Sequence, residues 1–113
     1  MECKLICSDI DGTLLDVNRS LSMETKTAVK SISPEIPFLL ISSRMPKSMQ
    51  LLQAELRTAN MPLLSYNGAL ILDVSGTLLQ RIEIPFAFTY RICTHLSHSY
   101  CHFSLSNNSE CLV

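Results

Sequence analysis

Cys7-Ser8-Asp9-Ile10-Asp11-Gly12-Thr13-Leu14-Leu15-Asp16 sets two carboxylates two positions apart, where an apolar run gives way to a glycine turn. Residues two apart along a strand point to the same side, so Asp9 and Asp11 are expected to address one reacting group just beyond the carboxyl end of a sheet. One carboxylate can then attack phosphorus while the other handles the proton. A hard, oxygen-liganded cation such as Mg²⁺ suits the same place, because it neutralises phosphate charge and holds the group in line. Gly12 permits a tight turn that brings main-chain N–H groups near a phosphate, and the Thr13 hydroxyl can brace it. The plain alternative is an Asp-rich turn closing a strand, since Asp and Gly are ordinary turn residues.

Outward from this stretch the chain alternates between strand and helix signals. Lys4 to Ser8 reads as a short buried strand. Asp16 to Leu21 is a polar excursion, and Ser22 is placed to cap a helix that carries Ala28, Val29 and Ile32 on one face. Ser33-Pro34-Glu35-Ile36-Pro37 ends that helix, because proline cannot continue the hydrogen-bond ladder. Phe38-Leu39-Leu40-Ile41 has the continuous apolar character of a strand buried on both faces of a parallel sheet. Pro46 suits the first turn of a second helix with Met49, Leu52 and Leu56 at helical spacing, and Leu63 to Tyr66 reads as a third strand. This order predicts an α/β fold with a parallel sheet and right-handed crossovers. Beyond the turn signal Asn67-Gly68, the runs Ala69 to Asp73 and Thr77 to Ile84 flank Val74-Ser75-Gly76 and predict a β-hairpin. Pro85 marks a break. After it, Phe86 to Leu96 reads as a helix and Tyr100 to Val113 as two short strands turning at Asn107-Asn108.

At 113 residues the chain allows one ordinary domain, small for an α/β enzyme. Its 47% hydrophobic and 17% charged residues suit a folded soluble protein, and a net charge of −1 gives no electrostatic footprint for nucleic acid or an anionic membrane. The apolar runs are too short for a membrane span or a secretory signal, so a cytoplasmic location is the default expectation. Five cysteines, an odd number with Cys3 and Cys7 assigned to the buried first strand, point to reduced thiols rather than a disulfide framework.

Asp9-Ile10-Asp11-Gly12-Thr13-Leu14-Leu15 resembles the first motif of the haloacid dehalogenase-like (HAD) phosphohydrolases, and its place near the N-terminus agrees. The resemblance implies that Asp9 is the nucleophile and that Asp11 protonates the leaving oxygen and then activates water. It also implies Mg²⁺ held by the Asp9 side chain and the Asp11 backbone carbonyl, with Gly12 and Thr13 in the phosphate-binding turn. A Ser or Thr at the end of the second strand binds phosphoryl oxygens in that family through its hydroxyl and backbone N–H, and Ser42 sits at the matching place beside a helix start. Ser42-Ser43-Arg44 resembles the Thr-Gly-Arg of the sugar-phosphatase-like, or Cof-type, branch, departing from it at Ser43, where glycine is usual. Arg44 reads as a substrate contact, as a pin for the loop, or as a surface charge at the helix start. Leu64-Ser65-Tyr66-Asn67-Gly68-Ala69-Leu70-Ile71 resembles the Asn-Gly-Ala segment of the same branch. There Asn67 could donate its amide to a substrate phosphate or hydroxyl while Gly68 permits close approach; the alternative is a plain hairpin turn.

Together the three likenesses imply a Mg²⁺-dependent phosphomonoester hydrolase for a small phosphorylated metabolite, such as a phosphosugar or a phosphorylated cofactor. A phosphomutase would share the chemistry. The family also carries a lysine that steadies the phosphoenzyme and a later acidic motif that completes the Mg²⁺ site. After Pro85 this chain has no lysine and only Glu110 as an acid. The expectation is therefore the N-terminal part of a Rossmann-like HAD core and its β-hairpin over residues 1–85, then the beginning of an α+β cap over 86–113, weakly active or inactive alone. The alternative is a non-catalytic truncated product that binds a phosphate ligand or a partner chain.

Cys93, His95, His98, Cys101 and His102 form a further cluster, with Cys111 beyond. On a continuous helix His95, His98 and His102 would share a face able to hold Zn²⁺. The alternation of Cys101, Phe103 and Leu105 against His102, Ser104 and Ser106 favours instead a strand with ordinary packing.

Overall fold

The computed structural model describes residues 2–107 and 110–111. The element order is β1 (Ile6–Ser8), α1 (Met23–Ile32), β2 (Phe38–Leu40), α2 (Pro46–Leu56), β3 (Leu63–Ser65), a 3₁₀ turn (Tyr66–Gly68), β4 (Leu70–Leu72), β5 (Leu78–Arg81), α3 (Phe86–Ser97), β6 (Ser106–Asn107) and β7 (Glu110–Cys111). β1 and β2 run parallel with Ile6 opposite Phe38, Cys7 opposite Leu39 and Ser8 opposite Leu40. A parallel bridge between Ile41 and Leu64 carries the sheet on to β3, and β3, β4 and β5 then pair antiparallel. The expected α/β architecture is thus present, with the hairpin of β4 and β5 added at its side.

Local chemistry explains the helix ends. The Ser22 hydroxyl oxygen accepts the Thr25 N–H at 3.1 Å, satisfying a donor that the first turn of α1 leaves open. Pro46 opens α2, where its missing N–H is not needed. At the other end Arg57 adopts a left-handed φ of 59° and Gln53, buried within α2, donates its amide to the Met61 carbonyl at 3.2 Å, closing the connection to β3.

Ile10, Leu21, Val29, Phe38, Leu40, Met49, Leu56 and Leu63 form the core. Successive right-handed crossovers in one direction put α1 and α2 on the same face of the sheet, where they pack on each other. That arrangement corrects several expectations. β2 is not buried on both faces: Phe38 and Leu40 are enclosed, whereas Leu39 and Ile41 on the uncovered side are half-exposed. On α1 only Val29 of the expected Ala28–Val29–Ile32 face is buried. β1 is shorter than expected and sits at the sheet's edge, so Cys3 and Cys7 are exposed free thiols rather than core residues.

Beyond Pro85, α3 forms as expected but has no buried residue. Residues 101–105 form no strand, correcting the alternation reading. Tyr100 turns the backbone to φ 50°, and among the described residues no strand pairs with residues 101–105. β6 and β7 do pair antiparallel, Ser106 opposite Cys111 and Asn107 opposite Glu110. Asn108, the second half of the expected turn, lies outside the described residues. No helix among the described residues is long and apolar enough to cross a membrane.

Candidate active site

The site is built where β1, β2 and β3 reach their carboxyl ends. β1 stops at Ser8, and the fully buried Ile10 anchors the turn that follows. Its carbonyl accepts the N–H groups of Thr13, Leu14 and Leu15 at 3.4, 3.0 and 3.2 Å. Gly12 makes the reversal with φ +78°, and a Cβ there would meet nothing within 4 Å, so backbone conformation rather than space calls for glycine. The Ile10 carbonyl does the bracing; the Thr13 hydroxyl makes no hydrogen bond among the described residues.

This winding corrects the strand-based placement of the acids. Period-two geometry applies only while the strand continues, and Asp11 lies in the turn beyond it. Asp9 stands exposed past β1, its Oδ1 accepting the Ile10 N–H at 2.8 Å. Asp11 is gripped by Arg44. Nε donates to Oδ2 at 2.8 Å and Nη2 to Oδ1 at 2.7 Å, a bidentate pair between side chains 41% and 22% exposed. A second cation, Arg19, brings Nη2 to 3.7 Å from the same Oδ1. The hydrogen bonds from Arg44 hold the Asp11 carboxyl below its ordinary range; burial opposes them in part, the charges of Arg44 and Arg19 add to the lowering, and Asp11 in turn raises Arg44.

Arg44 is itself held by the ends of β2 and β3. Its N–H donates to the Ser42 hydroxyl oxygen at 3.2 Å, its carbonyl accepts the buried Ser65 hydroxyl at 2.5 Å and the Tyr66 N–H at 3.4 Å, and its Nη1 donates to Ser48 Oγ at 3.2 Å. Ser42 is buried, and its N–H is engaged by the Leu64 carbonyl at 3.2 Å. Of the two donors expected there, only the hydroxyl hydrogen lacks an acceptor among the described residues. Ser43 is exposed and needs no left-handed backbone, which is why the loop closes without the usual glycine.

The Asn67 N–H donates to the Ser42 carbonyl at 2.8 Å, tying the third segment to the second. Tyr66, Asn67 and Gly68 have successive positive φ values of 50°, 56° and 91°. They connect antiparallel β3 and β4, so the hairpin reading of Asn67-Gly68 holds while the Asn67 side chain stays exposed. Asn tolerates this backbone better than most residues.

Arg19, Ser48 and Ser65 were not foreseen as site residues. The polar excursion is a small hairpin: Leu15 and Leu21 bridge, and Asp16 Oδ1 accepts the N–H groups of Asn18 and Ser20 at 2.8 and 3.0 Å, turning Arg19 back to Asp11. The Asp-x-Asn-x-Ser pattern was the available signal for that turn. The Cys/His cluster does not assemble, since α3 ends at Ser97, His98 caps it, and Tyr100 breaks the line before His102. No group of three or more His, Cys, Asp or Glu able to hold a metal occurs among the described residues.

Residues 6–113 match a family model described as haloacid dehalogenase-like hydrolase. A Haemophilus influenzae protein named "Putative phosphatase" is 30% identical, the match covering 98% of this chain and 43% of that protein. A haloacid dehalogenase-like hydrolase from Bacteroides thetaiotaomicron superposes with a TM-score of 0.85 at 24% identity, over 97% of this chain and 43% of the other. One from B. subtilis gives 0.73 at 28% identity, over 85% and 34%. The chain thus spans less than half the length of these relatives. With its motifs, its sheet and these matches in agreement, the chain belongs to the haloacid dehalogenase-like hydrolases.

Proposed function

We propose that this chain carries the nucleophile end of a Mg²⁺-dependent phosphomonoester hydrolase that works through an aspartyl-phosphate. Its substrate would be a small cytosolic phosphate such as a phosphosugar or a phosphorylated cofactor. The observation that carries the reading is the unequal state of the two acids. Asp9 is exposed with one backbone N–H on Oδ1 and no partner for Oδ2 among the described residues, whereas Asp11 is clamped by Arg44. The open carboxylate is free to attack, and the held one is left to carry the proton once its grip loosens.

In the first step an Asp9 oxygen attacks phosphorus, the bond from phosphorus to the ester oxygen breaks, and that oxygen takes a proton from Asp11. In the second, Asp11 takes a proton from water, whose oxygen attacks the same phosphorus. The bond to Asp9 breaks, releasing phosphate. Pairing with Arg44 favours the charged form of Asp11, which suits the second step; the first requires that grip to loosen. Ser42, through its hydroxyl, Ser43, Gly12, Thr13, Asn67 and Gly68 would cradle the phosphoryl group and its substituent.

The donors fit a hard cation in kind, because the Asp9 carboxylate and the Asp11 main-chain carbonyl are oxygen ligands at a strand end. Mg²⁺ commonly takes one or two protein ligands beside water and phosphate. When bound, it neutralises phosphoryl charge and aligns the group. In this reading residues 1–85 belong to the catalytic core and 86–113 begin a cap, in a cytoplasmic protein. The second reading, a non-catalytic piece that binds phosphate or a partner chain, is favoured by the exposed apolar row Leu79, Ile82, Ile84, Phe86 and Phe88.

The test is exposure of the full-length protein to a small phosphodonor with Mg²⁺, read by intact mass. Wild type should gain one phosphoryl group and Asp9→Asn none. Uptake by Asp9→Asn would overturn the nucleophile assignment, and no uptake by wild type would favour the second reading.

A further inference from the structure

Arg44 is fixed at its base and aimed at one place. Its N–H, its carbonyl and Nη1 are anchored to Ser42, Ser65 and Ser48 respectively, which leaves Nε and Nη2 as a fork closed on the Asp11 carboxylate. Two oxygens of a phosphoryl group present to such a fork much as a carboxylate does, and guanidinium takes either bidentately. Asp11 is not left alone when the fork opens, because Arg19 lies 3.7 Å from its Oδ1 on a separate hairpin. The side chain of Arg44 is 22% exposed, so the seat can be approached from solvent.

We propose that the Asp11 carboxylate is a placeholder. In the ligand-free chain it occupies the oxyanion seat of Arg44, and an incoming phosphoryl group displaces it, passing Arg44 to the phosphate and leaving Asp11 with Arg19. Arg44 is thereby a positioning residue that couples arrival of substrate to release of the proton carrier. One bidentate pair is exchanged for another, so no charge is stranded during the exchange. The choice of a phosphoryl ligand rests on the function proposed above; the exchange itself is tested without turnover.

The experiment measures binding of inorganic phosphate, with no divalent cation, to the 113-residue chain and to Asp11→Asn, Arg44→Met and the double variant. Competition for the seat predicts that Asp11→Asn tightens phosphate binding about 1.5-fold to fivefold, the range of a partly exposed ion pair. Arg44→Met should weaken it by at least about tenfold, as expected for loss of a charge-assisted fork. The gain from Asp11→Asn should vanish in the Arg44→Met background, because the two residues then no longer compete. An equal gain in both backgrounds would mean simple charge repulsion and would overturn the proposal, as would unchanged binding by Arg44→Met. If Arg44→Met does not fold, Arg44→Lys keeps the charge without the fork and should bind more weakly, with the coupling reduced. Equal binding and undiminished coupling in that variant would also overturn it. Asp9→Asn should retain the exchange, so failure of phosphoryl transfer and failure of the placeholder are separate results.

Discussion

Ser65→Ala tests how the site is braced. Ser65 is fully buried, and its hydroxyl donates to the Arg44 carbonyl, which among the described residues otherwise receives only the long 3.4 Å bond from the Tyr66 N–H. Removing the hydroxyl takes away one neutral hydrogen bond without fully orphaning the acceptor. The loss should therefore be about 0.5–1.5 kcal/mol rather than the roughly 1–3 kcal/mol of an unsatisfied buried group. The methyl that remains fills most of the space, so little cavity cost is added. For a chain of this length about 1 kcal/mol corresponds to a fall of about 4 °C in Tm. Urea unfolding should show a lower midpoint with an unchanged slope, because the native surface is the same. A loss below about 0.3 kcal/mol would mean that the bond does not form in solution. A loss above about 3 kcal/mol would mean that Tyr66 does not serve the carbonyl, and either result would refute the reasoning.

Ile10→Ala, at a fully enclosed position beneath the acidic turn, should cost about 2–5 kcal/mol in chemical denaturation, with Ile10→Val near 1 kcal/mol. Gly12→Ala should destabilise by about 1–2 kcal/mol through its φ of +78° alone, since a Cβ meets nothing; a D-alanine placed there by semisynthesis should recover that loss. The acid limb of stability should carry Asp11 and Asp73. The Arg44 hydrogen bonds lower the first carboxyl, and the Ser75 hydroxyl followed by the Thr77 N–H lowers the second. Depressed folded values mean that their contribution is fully present above the unfolded aspartate pKa of about 3.9 and disappears as pH falls through the lower folded values. Asp11→Asn and Asp73→Asn should each flatten the pH dependence of unfolding in that window, and added salt should shrink the Asp11 effect.

The order of elements was readable because each rests on a local signal: Ser22 as a cap, Pro46 at a helix start, Phe38 to Leu40 as an apolar run, Asn67-Gly68 as a reversal. Burial was less readable, because it depends on which neighbours cover a face. Leu39 and Cys7 have strand-like surroundings in sequence but face the side without helices or the unpaired edge. The two acids stand out by their spacing, yet strand geometry does not govern them, because β1 ends at Ser8 and the turn braced on the Ile10 carbonyl follows. The grip of Arg44 on Asp11 spans 33 positions and the Ser65 brace 21, and such contacts leave no periodic trace in a single chain. The failed strand at residues 101–105 shows the converse. Alternation describes a possible strand, but a partner makes it one.

The most direct test of the central claim is to locate the phosphoryl group on the full-length protein after brief reaction with a phosphodonor and Mg²⁺, by fragment mass spectrometry at low pH. A single acyl phosphate on Asp9 is the expected result. A phosphoryl group on Asp11, on a serine such as Ser42, or on no residue would contradict it.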